Sequence, residues 1–370
     1  MINVVTWSVF FGLLLQIPLF PVYGVPVTTF DVASVIILLS IFRLGVIEKP
    51  KVAVISFWIV ILGLFSIAMN FDRLESIPQG VLYSARIFEY SLWFYVGLRF
   101  RERLIKPFIL LLLCKAFASF LVGTYVDPLN YLFFKYDHDV IGTLLLVSLF
   151  YLKDRQYIGM YTPLFSVMLM NVRSAYFGFF YIMFLYVKSN KRSVLNMVSM
   201  LLLVGLITVV AITNEKLMSR LTLIFDYSNI IAIKEAYHAS LEAYSYHNFV
   251  HENRNLFTES GDLSFQLRLR KWMYYIGQFS HNPTHILYGF SPGSFGGAAD
   301  SSVVRIFLEG GVLMFYFYLV MIRRLVDYSF HGKEYIYLLV AMSLMLDLSF
   351  SSAVAPLVFF LVGVSGQCRK

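Results

Sequence analysis

Apolar runs close to a bilayer's thickness recur from one end of this chain to the other, and that leaves few ways to fold. Backbone N–H and C=O groups cannot stay unpaired in hydrocarbon, so each run must fold as a helix that pairs its own. About twelve runs can be drawn: Val4–Phe20, Phe30–Val46, Val52–Met69, Val81–Leu98, Pro107–Val122, Val140–Leu152, Tyr157–Met170, Ala175–Val187, Val194–Ile212, Ser302–Ile322, Tyr335–Phe350 and Ala353–Val364. Charged residues make up only 14% of the chain, against about 25% in soluble domains. The expectation is an all-α polytopic membrane protein forming one integral domain over residues 1–370. Val4–Phe20 has no basic flank and no small-residue cleavage site, so it reads as a retained span and not as a leader.

The formal charge of +8 follows the loops, which argues for a membrane bias and against a nucleic-acid partner. Arg43, Lys49 and Lys51 follow the second run, and Arg99, Arg101, Arg103 and Lys106 follow the fourth. Lys153 and Arg155, then Lys188, Lys191 and Arg192, then Arg323, Arg324 and Lys333 recur at alternate gaps, and Arg369 and Lys370 end the chain. Basic loops stay on the cytoplasmic side. Both termini are therefore expected inside, with the long polar loop of residues 213–300 outside. A connection that long is usually functional or disordered, and its recurring Leu, Ile, Phe, Tyr and Trp argue for order. Helices are expected within it at Ile230–Tyr246 and Ser264–Phe279, the second capped by Asp262 or Ser264.

The loop holds five of the seven histidines, at 238, 247, 251, 281 and 285, without a metal-ligand spacing, and most of them read as surface residues. Cys114 and Cys368 sit too far apart in depth for a disulfide, and no metal motif is present. Richer patterns lie elsewhere. Ser264-x-x-x-Arg268-x-x-x-Trp272 sets an arginine and an indole on one helix face, with Arg270 and Lys271 beside them. A guanidinium braced by a ring suits a phosphate. Gly289-x-x-x-Gly293-x-x-Gly296-Gly297 permits close backbone approach before Asp300 and Glu309-Gly310-Gly311. Taken singly, these are a headgroup arginine, a turn and a helix cap; their order and spacing together favour a site.

Arg173, after a short outward turn, reads equally as an interfacial cation or as one aimed at a pyrophosphate. Asp137-His138-Asp139 reads as a helix cap or as an acid/base group. Arg86 and Glu89, i,i+3 in the fourth run, read as a structural ion pair, and Lys115 and Asp347 are lone intramembrane charges.

In these motifs and in its plan the chain resembles the O-antigen polymerases, the Wzy class, which are similar in plan to the O-antigen ligases. The resemblance rests on Asp137-His138-Asp139, Arg173-Ser174, Arg268 with Trp272, the glycines from Gly289, Asp300 and Glu309-Gly310. It implies a GT-C-like glycosyltransferase of the bacterial inner membrane with a periplasmic active site and no cofactor or metal. It also implies an undecaprenyl-pyrophosphate-linked oligosaccharide as substrate, the bilayer as surroundings and a separate chain-length regulator as partner. Arg173, Arg268 and, less directly, Arg270 would bind the pyrophosphate. Trp272, Gly293 and Glu309 would support the site, and the base would be Asp300, His138 or Asp139. Ligases of this kind carry a histidine where Asp300 stands, which favours polymerase. The rival expectations are the ligase and a flippase or transporter of lipid-linked oligosaccharide. The transporter is disfavoured by the absence of an internal repeat and by charge gathered in the outward loop.

Overall fold

A computed structural model describes residues 2–22, 25–43, 51–71, 77–122, 137–170, 173–189, 205, 227–242, 263–294, 301–329, 332–343, 349 and 351–366. Of these, 87% are helical. Three helices are long and apolar enough to cross a membrane by length and composition: Lys51–Met69, Glu102–Leu121 and Ser302–Tyr328. This is the architecture of an all-α membrane protein. The ninth expected run, Val194–Ile212, lies outside the described residues except for Gly205, as do Asp347 and Cys368.

The other runs form helices over their described residues, most within a few residues of their drawn limits, with the first cut short. They are α1 (Ile2–Val9, extended by a π-helical stretch Phe10–Leu15), α2 (Thr29–Arg43), α3 (Lys51–Met69), α4 (Ile77–Arg99), α5 (Ile105–Val122), α6 (Asp137–Lys153), α7 (Tyr157–Leu169) and α8 (Arg173–Ser189). The long loop supplies α9 (Tyr227–Glu242), α10 (Leu263–His281) and a single turn, α11 (His285–Tyr288). Then come α12 (Ser302–Tyr328), α13 (Lys333–Ser343) and α14 (Ala355–Gly366).

The first run departs from expectation. It stops at Gln16, whose backbone is left-handed (φ 48°), and its last residues enter a β-hairpin, β1 (Pro18–Val22) against β2 (Val25–Thr28). Pro18 and Pro21 cannot continue a helix because they lack the N–H and clash with the preceding turn. Apolar composition alone hid that break.

The core runs through the bundle. Trp93 of α4 is fully buried, stacks on Phe30 of α2 and donates to Ser34 Oγ (3.2 Å). α4 meets α14 where Gly97 faces Gly363, and a Cβ on either would strike the other helix's backbone. At the end expected inside, Lys153 pairs with Glu334 (2.8 Å) and Lys106 with Asp154 (2.9 Å), tying α6 to α13 and to the head of α5.

Several helix ends stop inside the bundle. Arg86, well along α4, reaches Asp31 near the start of α2, and Lys115, well before the end of α5, donates to the Leu14 carbonyl (2.6 Å). The α1–α2 corner therefore sits part-way along α4 and α5, short of the Ile77 end of α4 and the Val122 end of α5. Gln16 Nε2 donates from that corner to the Ser352 carbonyl (2.8 Å), at the head of α14. Polar groups buried this way must be paired, and these are.

Candidate functional site

Two glycines shape the end of the bundle at which α9, α10 and α11 gather. Gly311 interrupts α12 with φ 69° and ψ −174°, and Gly289 ends α11 with φ 74° and ψ −173°. This region of backbone space belongs to glycine almost alone. A straight helix from Ser302 to Tyr318 would span about 24 Å. Yet Ser302 Oγ accepts from the Ser349 N–H (2.8 Å), and Tyr318 Oη lies 2.8 Å from Ser349 Oγ. One serine can touch both only because α12 folds at Gly311. Length and composition suggest a single rod here, and the dihedral angles rule it out.

The segment from Asn282 to Ser294 straps across that fold. Phe290 N–H donates to the Leu308 carbonyl (2.9 Å) and Ser291 N–H to the Glu309 carbonyl (3.0 Å). A Cβ at Gly289 would collide with the Glu309 carbonyl. Asn70, just past α3, pins the strap. Its Nδ2 donates to the Ser66 (2.8 Å) and Gly289 (3.1 Å) carbonyls, so its Oδ1 is left to accept from His285 Nε2 (3.0 Å). His285 is buried and stacks on Phe290 at 4.7 Å. The reading of the loop histidines as surface residues is corrected here for His285, although His238 and His281 are exposed. Burial follows from a neighbour that no local pattern reveals, Asn70, 215 residues away.

Beneath the strap lies an ion pair in the bundle interior. Arg305 Nε donates to Glu309 Oε1 (3.1 Å), with side-chain exposures of 1% and 2%. The guanidinium lies over the Tyr83 ring of α4 at 4.2 Å, a cation–π contact. Gly293 packs against the same ring: a Cβ there would sit 3.3 Å from it. Of the residues expected to support the site, Gly293 thus lies against Tyr83, and Glu309 is tied to the same ring through Arg305. Trp272, the third, is half-buried and packs with Tyr274, Tyr275, Phe279, Phe290 and Leu308, which joins α10 to α12. α10 pairs with α9 through Gln278 Nε2 to the Ser240 carbonyl (3.2 Å).

A second group sits at the head of α6. Asp139 is buried, and its Oδ1 accepts from Ser351 Oγ (2.5 Å) and lies 3.4 Å from His138 Nε2. Among the described residues its Oδ2 has no hydrogen-bond partner. Ser351 stands two residues from Ser349, whose N–H holds the head of α12. Asp139 is thereby connected to the helix start that Asp300 precedes. Asp300 itself lies outside the described residues. Arg173 opens α8, and Arg268 and Arg270 lie in the first half of α10, but their side chains are outside the described set.

The third charged group corrects the view that charge is gathered in the outward loop. Arg86 Nη1 bonds both Asp31 Oδ1 (2.6 Å) and Glu89 Oε2 (3.1 Å) inside the bundle. The expected Arg86–Glu89 pair is present, and Asp31 makes it a triad. Arg305, Asn70 and Ser351 escaped sequence reasoning. For Arg305 a signal existed: an arginine within an apolar run, four residues before a glutamate. For Asn70 and Ser351 no local pattern exists.

Among the described residues no three His, Cys, Asp or Glu side chains gather to hold a metal ion. The chain matches no protein-family model, and a search of curated proteins returns no match.

Proposed function

We propose that this chain is an O-antigen polymerase: a membrane glycosyltransferase of GT-C-like plan, with about twelve spans, both termini inside and its site at the periplasmic end. The observation that carries the proposal is Asp139. One of its carboxylate oxygens is anchored by Ser351 and His138, and the other has no hydrogen-bond partner among the described residues. A carboxylate held by one oxygen and open at the other is the arrangement a general base requires.

In the proposed reaction the acceptor hydroxyl of one lipid-linked repeat unit gives its proton to Asp139 Oδ2. Its oxygen bonds the anomeric carbon of the growing glycan as the bond from that carbon to undecaprenyl pyrophosphate breaks. The electron pair leaves with the pyrophosphate, whose charge Arg173, Arg268 and Arg270 would neutralise. Asp300 is the alternative base. The strap and the Arg305–Glu309–Tyr83 cluster would hold α10 over the site.

Deleting the gene should leave lipopolysaccharide with single repeat units. Loss of all O-antigen would instead indicate a ligase or a flippase. Asp139→Asn and Arg268→Ala should each remove chain growth while the protein still inserts. Normal ladders in either would take that residue out of the mechanism. Chain growth by purified protein should persist in a chelator.

A second reading, a transporter of the lipid-linked oligosaccharide, is favoured by the Asp31–Arg86–Glu89 triad, since charges inside spans often mark transport pathways. Proteoliposomes separate the two. Lengthening of a lipid-linked oligosaccharide already on the outward face requires a polymerase, and its movement between leaflets without lengthening requires a transporter.

A further inference from the structure

Ser351 sits in the turn that opens α14 and belongs to none of the motifs above. Its Oγ makes three contacts. It donates to Asp139 Oδ1 (2.5 Å) and accepts from the Ala353 (3.2 Å) and Val354 (3.1 Å) N–H groups. Its carbonyl takes the Ala355 N–H (3.2 Å), which makes it the cap of α14. Because two backbone donors already occupy the hydroxyl's lone pairs, its proton has one direction left, toward Asp139. The hydroxyl therefore cannot swing away, as an ordinary surface serine would. The bond spans 212 residues and is buried at both ends.

We propose that Ser351 is a positioning residue for Asp139. Its fixed hydroxyl holds Oδ1 and turns Oδ2 toward the acceptor. The inference rests on the reading of Asp139 as the base. The charged and titratable groups around that carboxylate are His138 on its own helix, Lys115 on α5 and Tyr90 on α4. Lys115 is a second charge near Asp139, so the serine's contribution must be separated from that of the lysine. A hydrogen bond to the charged form stabilises that form. Losing it makes the base harder to keep ionised in acid and has no effect once the pH is high enough.

The test uses full-length protein in nanodiscs with a single-repeat lipid-linked oligosaccharide. Ser351→Gly keeps a residue that helix caps tolerate and removes the donor; Ser351→Thr keeps both. Ser351→Gly should fall about tenfold below wild type at the acid end of the pH–rate profile and rejoin it at the alkaline end. Ser351→Thr should follow wild type throughout. Independently of turnover, infrared titration of the carboxyl band that Asp139→Asn removes should be displaced to higher pH in Ser351→Gly. An undisplaced band, or a rate lowered equally at every pH, would leave Ser351 as a cap only and overturn the proposal. A displaced band together with an active Asp139→Asn protein would leave the hydrogen bond standing and sink the assignment of Asp139 as base.

Discussion

Arg86 is the side chain whose removal should do most damage inside the bundle. It answers two carboxylates, Asp31 and Glu89, in a region where neither can be left alone. Breaking a buried pair by deleting one partner strands the other charge, typically at a cost of about 3–5 kcal/mol. Arg86→Leu is expected to lower unfolding stability in detergent by that order. Adding Asp31→Asn should recover part of the loss, because one stranded charge is gone. If Arg86→Leu unfolds like wild type, the triad contributes no stability. Asn70 is a neutral counterpart. Asn70→Leu removes two donors from the Ser66 and Gly289 carbonyls and the acceptor for His285. Each buried group left unpaired costs about 1–3 kcal/mol. The expected readout is faster hydrogen exchange in residues 285–291, with little change in α4.

The strap and the folded helix α12 stand or fall on two glycines. At Gly289 and Gly311 an added Cβ meets both a forbidden backbone region and a neighbouring carbonyl. Backbone strain of this kind costs about 1–3 kcal/mol per site. Gly311→Ala should therefore free the strap or straighten α12, breaking the shared contact of Ser302 and Tyr318 with Ser349. A cysteine pair placed at Ser302 and Ser349 should crosslink in the parent and lose crosslinking with Gly311→Ala. Equal crosslinking in both would mean that the fold tolerates the methyl group. The sequence marks these glycines as a place of close approach, through the spacing Gly289-x-x-x-Gly293 and the Glu309-Gly310-Gly311 run. The partner each glycine approaches is not legible there, because Gly289 and Gly311 meet across the strap and not along it.

The basic loops predict which way the assembly faces. Lys153 and Lys106 at one end are paired with Glu334 and Asp154, whereas the strap, α9 and α10 gather at the other. The expected result is that a thiol reagent unable to cross the membrane labels cysteines placed in residues 227–242 and 282–288 from outside, and labels those placed at residues 154–156 only after lysis. Labelling of both sets from outside would invert the proposed topology and move the candidate site to the cytoplasmic face. Gly293 and Glu309 come from neighbouring stretches of the chain, so their approach is suggested by the sequence, whereas Trp272 packs in the separate cluster that joins α10 to α12. Asp139 and Ser351 are not legible as a pair, since they come together only when the head of α6 packs against the turn before α14.

What the order of residues determines here is what can be decided locally. An apolar run must be a helix because lipid offers its backbone no other partner, and the loops between runs take sides by charge. The helices accordingly fall close to where hydropathy puts them, from Lys51–Met69 to Ala355–Gly366. Tertiary structure alone decided which polar groups answer one another: Asp31 with Arg86, Asn70 with His285, Ser351 with Asp139. A buried polar group needs some partner, and the sequence announces that need. Which partner it finds depends on the packing of helices 55 to 215 residues apart, and that information is spread over every apolar contact in the bundle.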